Sequence, residues 1–316
     1  MLLEMYSNIL QKFNQNIRTE SFNIVNFIAS QDHRTFWFAS GRSLLAFAQL
    51  TFLLTTPFIS FIVPVGANTS AKCDGVRSVS LLCIYGGDNY LDQKRWILIF
   101  ILTIVLVGIY PRYTGIFHVW ATFSMSTSFT LPDGGDAIAF IVSVFILPLC
   151  LIDSRVNHWS RPKDKYSISF SAVCAGTSIA TRFQIAFIYL HSAIAKMGVE
   201  EWANGAAEYY IVRDLGFGIS APFKKFVLSF TDNPWGTLTL SWSAIIFGIV
   251  IAVCILLGKK ARIFGFYLDL VFHFAIIVMI GLWSFALTMI AAAAIAVNSN
   301  MPYYRSKESE FFDIEE

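Results

Sequence analysis

A lysine at the end of a long apolar run is the ionisable residue best placed to do chemistry in this sequence. Lys196 follows the apolar stretch 168–195, and Tyr189 and Arg182 precede it at intervals of seven residues, so a helix would carry all three on one face. A charged group at membrane depth costs roughly 2.5–3.5 kcal/mol, and such groups usually point into a bundle interior or a wet cavity. Lys196 is therefore the leading candidate site residue. The alternative is that it snorkels to the headgroup region, as lysines near helix ends do.

A carboxylate and a histidine later in the chain form a second candidate. Asp269 and His273 are four residues apart, close enough on a helix for the carboxylate to accept a hydrogen bond from the imidazole and fix its tautomer. We expect His273 to face the same cavity as Lys196, and Ser284 to share that face if the helix continues unbroken. The alternative is that the Asp and His pair only holds helices together.

The composition indicates what kind of protein must position these residues. Of 316 residues, 56% are hydrophobic and only 14% are charged, whereas about 25% are charged in an ordinary soluble domain. The sequence therefore predicts a polytopic membrane protein. A net charge of +2 gives no concentrated basic face for nucleic acid. Because the histidines are scattered and no CxxC or HExxH spacing occurs, no metal site is predicted.

The apolar segments predict an all-α transmembrane bundle of about 6 to 8 spans over residues 36–297. The predicted segments are Phe36–Val63, Trp96–Tyr110 ended by Pro111 and Arg112, Gly115–Phe129, a span that begins at Asp136, 168–195, Thr237–Leu257, and Ile263–Val297 broken at Gly281. Residues 6–30, within an N-terminal segment 1–35, are interpreted as an amphipathic helix on the membrane surface. The polar tail 298–316 is predicted to be disordered.

Basic loops predict the orientation of the bundle. Residues 153–167 and 258–262 are rich in Lys and Arg and are expected in the cytoplasm, which places the segment after Lys196 outside. The same orientation places Cys73 and Cys83, ten residues apart in a polar loop, in an oxidising compartment where they would suit a disulfide. A group of basic residues in that outer loop disagrees with the rule, namely Lys72, Arg77, Lys94 and Arg95.

The run YLHSAIAKMGVEEWANGAAEYY resembles the lysine segment of the HTTM and vitamin K-dependent γ-carboxylase superfamily, and most closely that of the SdpB family. Further likenesses are the GGD turn before the fourth span, the paired loop cysteines, the PRYTGIFHVW segment and the final motif FHFAIIVMIGLWSFALTMIAA. The residues that this resemblance adds to the site are His191, Trp202, Gly205, Tyr209, Tyr210 and, in the SLL context of the first span, Arg42.

The resemblance implies a role in maturing a secreted antimicrobial-peptide toxin, with an SdpA-like small partner protein and an SdpC-like precursor peptide. In the γ-carboxylases the matching lysine is the base that deprotonates a reduced quinone. The resemblance thus implies Lys196 as a base, His273 as a functional histidine and a reduced quinone, menaquinone or vitamin K-like, as cofactor. Burial would suit a lysine to this task, because desolvation disfavours the ammonium form. The alternative is a non-catalytic membrane scaffold or exporter for the precursor.

Overall fold

The computed structural model describes residues 22–57, 73–84, 90–129, 134–214, 218–219 and 222–298, and regular structure in these ranges is helical apart from one isolated bridge between Ile109 and Asn157. Besides the helical residues 22–29 and a short 3₁₀-helix at Gly75–Val79, the α-helices are α1 Phe36–Thr55, α2 Leu91–Val107, α3 Pro111–Ser128, α4 Gly134–Ile152, α5 Ile168–Met197, α6 Glu200–Ala203, α7 Ala207–Ile211, α8 Lys224–Asp232, α9 Pro234–Leu256, α10 Lys259–Ile280 and α11 Trp283–Val297.

The prediction of an all-helical membrane bundle is confirmed. Within the described residues, four helices (α4, α5, α9 and α10) are long and apolar enough to cross a membrane, and α11 is a shorter apolar helix. Of the segment predicted as an amphipathic helix, residues 22–29 are helical and mostly exposed. The rest of that prediction, the end of the first span at Val63 and the tail beyond residue 298 lie outside the described residues.

The predicted break at Gly281 is confirmed and divides the last apolar stretch into α10 and α11. Gly281 adopts a left-handed φ of 72°, a conformation that glycine enters without the steric penalty of a Cβ atom. The chain then runs back through the bundle as α11, antiparallel to α1. At the far end of α11, the Thr35 hydroxyl that precedes α1 donates to Asn298 Oδ1 at 2.6 Å. This return helix forms the centre of the bundle.

Close packing between α1 and α11 depends on small residues. A Cβ atom at Gly41 would lie 2.6 Å from Ile295 Cγ1 and 3.0 Å from the carbonyl oxygen of Ala291. Four consecutive alanines, residues 291–294, are buried in α11. Small residues let helix backbones approach closely in membranes, where van der Waals packing drives association.

Gly41→Ala is expected to destabilise the bundle by about 1–3 kcal/mol, because the new methyl group meets Ile295 Cγ1 and also backbone atoms of Ala291 and Ile295, which cannot move aside as a side chain can. Gly176→Ala in α5 is the matched control, since nothing lies within 4 Å of a Cβ atom there. That change should leave stability unchanged or raise it by up to ~1 kcal/mol through helix propensity. Thermal unfolding of the purified protein in detergent measures both. Equal midpoints for the two variants would contradict the close-packing account.

The loop between α4 and α5 closes one end of the bundle around Arg42, which is fully buried. Its guanidinium donates to His158 Nδ1 at 3.2 Å and to Thr114 Oγ1 at 2.8 Å. Burial, followed by the charge of Arg42, lowers the pKa of His158 to about 3, so the ring accepts as a neutral imidazole. Arg42 thus joins α1 to α3 and to the loop before α5, and it lies inside the bundle rather than in the candidate cavity.

The second predicted span also ends differently from the sequence interpretation. It runs from Leu91 to Val107 and stops at Gly108, whose φ is 88°, with the His158 ring occupying the place where a Cβ would lie. Pro111 is the first residue of α3 rather than the end of α2, because proline lacks only an N–H that the first turn leaves unpaired anyway.

Candidate functional site

A cavity of about 190 Å³ brings together the two residues singled out by the sequence. Lys196, near the end of α5, and His273, in the middle of α10, both line it. Trp202 and Glu208 add to its lining from the short helices α6 and α7. The walls are otherwise mostly apolar and include Phe272, Ile276, Ile280, Phe285 and Met289. The geometry therefore agrees with the expectation of one shared cavity.

Lys196 has no partner that would neutralise it at close range. Its Nζ donates to the Ser192 hydroxyl one turn earlier at 2.7 Å and lies 5.4 Å from the centre of the Trp202 ring. No carboxylate among the described residues comes within 4.0 Å of it. The amine is half-buried at the mouth of the cavity. Such a group is free to exchange a proton with a molecule inside the cavity.

A buried hydrogen-bond network fixes the other side of the cavity. Asp269 Oδ1 accepts from the Tyr189 hydroxyl at 2.5 Å and lies 2.6 Å from His273 Nδ1. Tyr189, Asp269 and His273 are 3%, 0% and 1% exposed, so water does not compete for these bonds. Because Nδ1 donates to the backbone carbonyl oxygen of Asp269 at 3.2 Å and also lies beside its carboxylate, a neutral ring presents Nε2 as an acceptor. Asp269 thus orients His273 in the way its spacing predicts.

Glu208 is the cavity residue that sequence reasoning missed. It follows Lys196 by twelve residues and belongs to α7, whose first turn is held by a bond from the Glu208 amide to Ser241 Oγ at 3.1 Å. Burial raises the pKa of the Glu208 carboxyl, and the charge of Lys196 opposes this. Gly205, with φ 82°, lies between α6 and α7. The sequence does show an acidic residue directly before Tyr209 and Tyr210. Whether that side chain reaches the cavity depends on the turn at Gly205, which the sequence alone does not give.

Arg182 lies on the predicted face of α5 but does not reach the cavity. Its guanidinium donates to the carbonyl oxygens of Ala296 and Asn298 at the end of α11, where a cation favours the exposed carbonyl groups. Fourteen residues of helix separate Arg182 from Lys196, about 21 Å at 1.5 Å per residue. Arg182 therefore joins α5 to α11, whereas Tyr189 and Lys196 serve the cavity.

Four more of the predicted site residues lie away from it. His191 is exposed and contacts Phe187, because two residues beyond Tyr189 a helix has turned about 200°. Gly205 and Tyr209 line a separate groove of about 450 Å³, where the Tyr209 ring lies 3.8 Å from the Arg213 guanidinium carbon. Tyr210 is 60% exposed.

Ser284 is also outside the cavity, because the helix does not continue unbroken past Gly281. It lines another pocket together with Thr51 and Thr55 of α1. The condition under which Ser284 would share a face with His273, an unbroken helix, is therefore not met.

Comparisons with known proteins agree with this architecture. The HTTM domain model matches residues 140–300, which include every charged residue of the cavity. The sporulation-delaying protein SdpB of Bacillus subtilis (strain 168) is 32% identical over 261 residues, which cover 82% of this chain and 80% of SdpB. This chain belongs to the SdpB family. A second relative, the uncharacterized protein YitO of the same strain, is 30% identical over 274 residues, 84% of this chain and 87% of YitO.

No solved structure matches the chain at a significant level. Membership of the SdpB family, with its HTTM domain, and four candidate spans make the protein a multi-pass membrane protein. In this SdpB-family chain, the helices that build the cavity are α5, α9, α10 and α11 together with α6 and α7.

Proposed function

We propose that this protein is a membrane enzyme that matures a secreted antimicrobial-peptide precursor, with the Lys196 cavity as its active site. Its relationship to a sporulation-delaying protein supports the pathway. The observation that carries the enzymatic part is the convergence of Lys196 and an oriented His273 on one cavity. An SdpA-like partner and an SdpC-like precursor complete the proposed system.

The chain's own groups fit acid and base work. Within the part of the chain that the structure describes, Lys196 has a hydroxyl and an aromatic ring close to its amine and no carboxylate at ion-pair distance, so in its neutral form the amine accepts a proton from a bound hydroxyl group. His273 offers Nε2 as a second hydrogen-bond partner on the opposite helix, because Asp269 holds Nδ1. The apolar walls exclude water and strengthen both interactions.

A reduced quinone is the cofactor we propose, and the composition of the cavity fits its ring. An amine and an imidazole are available to oxygen atoms, and Phe272, Phe285 and Met289 present apolar surface to a ring. The volume of about 190 Å³ is below the ~300 Å³ of sites that hold a whole drug-sized ligand, so an attached hydrocarbon chain would extend outside. When bound, a reduced quinone supplies electrons and a hydroxyl proton.

The alternative is a non-catalytic scaffold or exporter of the precursor. One observation favours it: Tyr189 and Asp269 join α5 to α10 in a fully buried hydrogen bond that a scaffold also needs. The mass and yield of the peptide made in cells that carry the precursor and partner genes separate the two proposals. An enzyme that depends on Lys196 yields a different peptide, or none, when the amine is removed.

We also propose that the lysine-bearing end of the bundle faces the outside of the cell. Cys73 and Cys83 form a disulfide with Cα atoms 5.4 Å apart, and the α1 and α2 ends beside that loop lie at the same end of the bundle as Lys196. Disulfides persist in oxidising compartments. The basic residues that contradict the orientation rule are partly explained, because Lys94 and Arg95 donate to the carbonyl oxygens of Leu82 and Leu53.

Labelling of single introduced cysteines with an impermeant thiol reagent on intact cells tests this orientation. Asn204→Cys, on the exposed turn after α6, is expected to react, whereas Ser160→Cys, on the exposed loop before α5, should react only after the cells are opened. The natural free cysteines Cys150, Cys174 and Cys254 are buried and provide a low background. Reaction of Ser160→Cys in intact cells would show that the protein has the opposite orientation to the one proposed.

A further inference from the structure

Glu208 lines the cavity and is also partly exposed at the surface of the protein. Its helix, α7, lies outside the membrane-spanning helices, yet the residue lines the same cavity as Lys196 and His273. The side chain is half-buried, and the bond from its amide to Ser241 holds it against α9. Glu208 thus borders both the cavity and the outer end of the bundle.

The charged groups around Glu208 leave Lys196 as its main electrostatic partner. Lys196 and Tyr189 of α5 and His273 of α10 line the same cavity as Glu208, and Asp269 lies beside His273. The α9 helix contributes the Ser241 hydroxyl. Following Glu208 in its own segment, Arg213 turns away to an ion pair with Asp232 at 2.6 Å, and its guanidinium also lies over the Tyr209 ring. Glu200 and Glu201 are exposed.

We propose that Glu208 is the proton-relay residue of this cavity and carries protons from Lys196 to external water. The inference rests on the proposed role of Lys196 as a base, since a base must lose its proton before it can act again. In the relay a water molecule bridges the two groups: an N–H bond of the Lys196 ammonium breaks as the water takes that proton, and an O–H bond forms on the Glu208 carboxylate as the water gives up another. Glu208 then releases the proton to water, which restores the neutral amine and the carboxylate. Glu208 acts through Lys196 and is a positioning residue in this sense.

Two features of the structure make this transfer feasible. The positive charge of Lys196 and the negative charge of Glu208 attract each other across the cavity without forming an ion pair within 4.0 Å, so neither group is locked to the other. Burial also raises the pKa of the Glu208 carboxyl, which brings its affinity for a proton closer to that of an amine. A carboxylate fully exposed to water would be a much weaker proton acceptor from an ammonium group.

The first test measures the reactivity of Lys196 in the purified full-length protein, without substrate or cofactor. An amine-reactive reagent is applied over a pH series, and modification of Lys196 is read residue by residue by mass spectrometry. Glu208→Gln is expected to raise the labelling rate of Lys196 near neutral pH about three- to tenfold, because the carboxylate no longer favours the ammonium form. Glu208→Asp should fall between, and Glu201→Gln, on the exposed face of α6, should match the wild type.

The second test measures mature peptide from cells at several external pH values. Glu208→Gln is expected to lower the yield about tenfold or more at neutral pH and to regain part of it at higher external pH, where hydroxide removes the proton directly. A merely structural role would give a loss that pH does not restore. Unchanged labelling of Lys196 in Glu208→Gln overturns the relay and leaves the proposed function standing. Normal peptide from a Lys196 variant overturns the proposed function, and the labelling experiment still decides whether the two groups are coupled.

Discussion

Lys196→Met is expected to abolish mature peptide while the protein remains folded and inserted at its normal level. Among the described residues the amine donates to Ser192 within its own helix and has no carboxylate within ion-pair distance, so truncation breaks no direct ion pair and removes from Glu208 only a longer-range attraction. Removing one member of a buried ion pair costs about 3–5 kcal/mol, and this penalty is absent here. Methionine keeps the unbranched stem and its packing against the cavity wall. The measurements are peptide mass and yield, protein level in the membrane, and thermal midpoint in detergent.

The control for this experiment is Lys225→Met, which removes an exposed lysine from α8 near the same end of the bundle. It should leave peptide and stability unchanged, so a loss specific to Lys196 cannot come from the reduced charge of that end. Two results would count against the active-site interpretation. One is normal peptide from a well-expressed Lys196→Met protein, and the other is a parallel fall of peptide and thermal midpoint, which would make Lys196 a structural residue.

The features that the sequence predicted are those set by local rules. The break at Gly281 follows from the length of a 35-residue apolar stretch and from the one residue in its middle that enters a left-handed φ without strain. The bond between Asp269 and His273 follows from a four-residue helical spacing. The convergence of Lys196 and His273 was expected because ionisable groups in membrane helices usually face the interior of the bundle. Two such groups in one small bundle are therefore expected to line the same interior cavity.

The features that escaped prediction depend on how elements are placed in space. Glu208 reaches the cavity only after a turn at Gly205, and no periodicity connects it with Lys196. Arg42 belonged to a recognisable motif, yet its partner His158 is 116 residues away on a loop. Ser284 was assigned by extending one helical register across a glycine that ends the helix. In each case the missing information was a tertiary contact, which a spacing rule does not contain.

Asp269→Asn is expected to reduce mature peptide by tenfold or more with a small effect on folding. Asparagine has the shape of aspartate but carries an amide donor in place of one carboxylate oxygen. The substitution also removes the negative charge of Oδ1, which the Tyr189 hydroxyl and His273 Nδ1 both contact. The backbone carbonyl of residue 269, 3.2 Å from Nδ1, is then the acceptor that remains to hold this tautomer, so the imidazole presents Nε2 to the cavity as an acceptor for less of the time. In a hydrolytic triad the equivalent change lowers turnover by about 10⁴ through the wrong tautomer, which makes tenfold a conservative expectation. Peptide yield and mass measure the effect.

Tyr189→Phe is the matched control, because it deletes the other hydrogen bond to the same carboxylate oxygen and leaves the bond to His273 in place. Each lost bond to a buried charged group costs about 1–3 kcal/mol, so Tyr189→Phe should lower the thermal midpoint at least as much as Asp269→Asn does. If the network only holds α5 to α10, peptide yield will follow stability and the two variants will lose similar amounts. If Asp269 serves to orient His273, Asp269→Asn loses far more peptide than Tyr189→Phe at equal or better stability. Comparable peptide from both variants would therefore reduce the network to a structural bond and remove His273 from the proposed site.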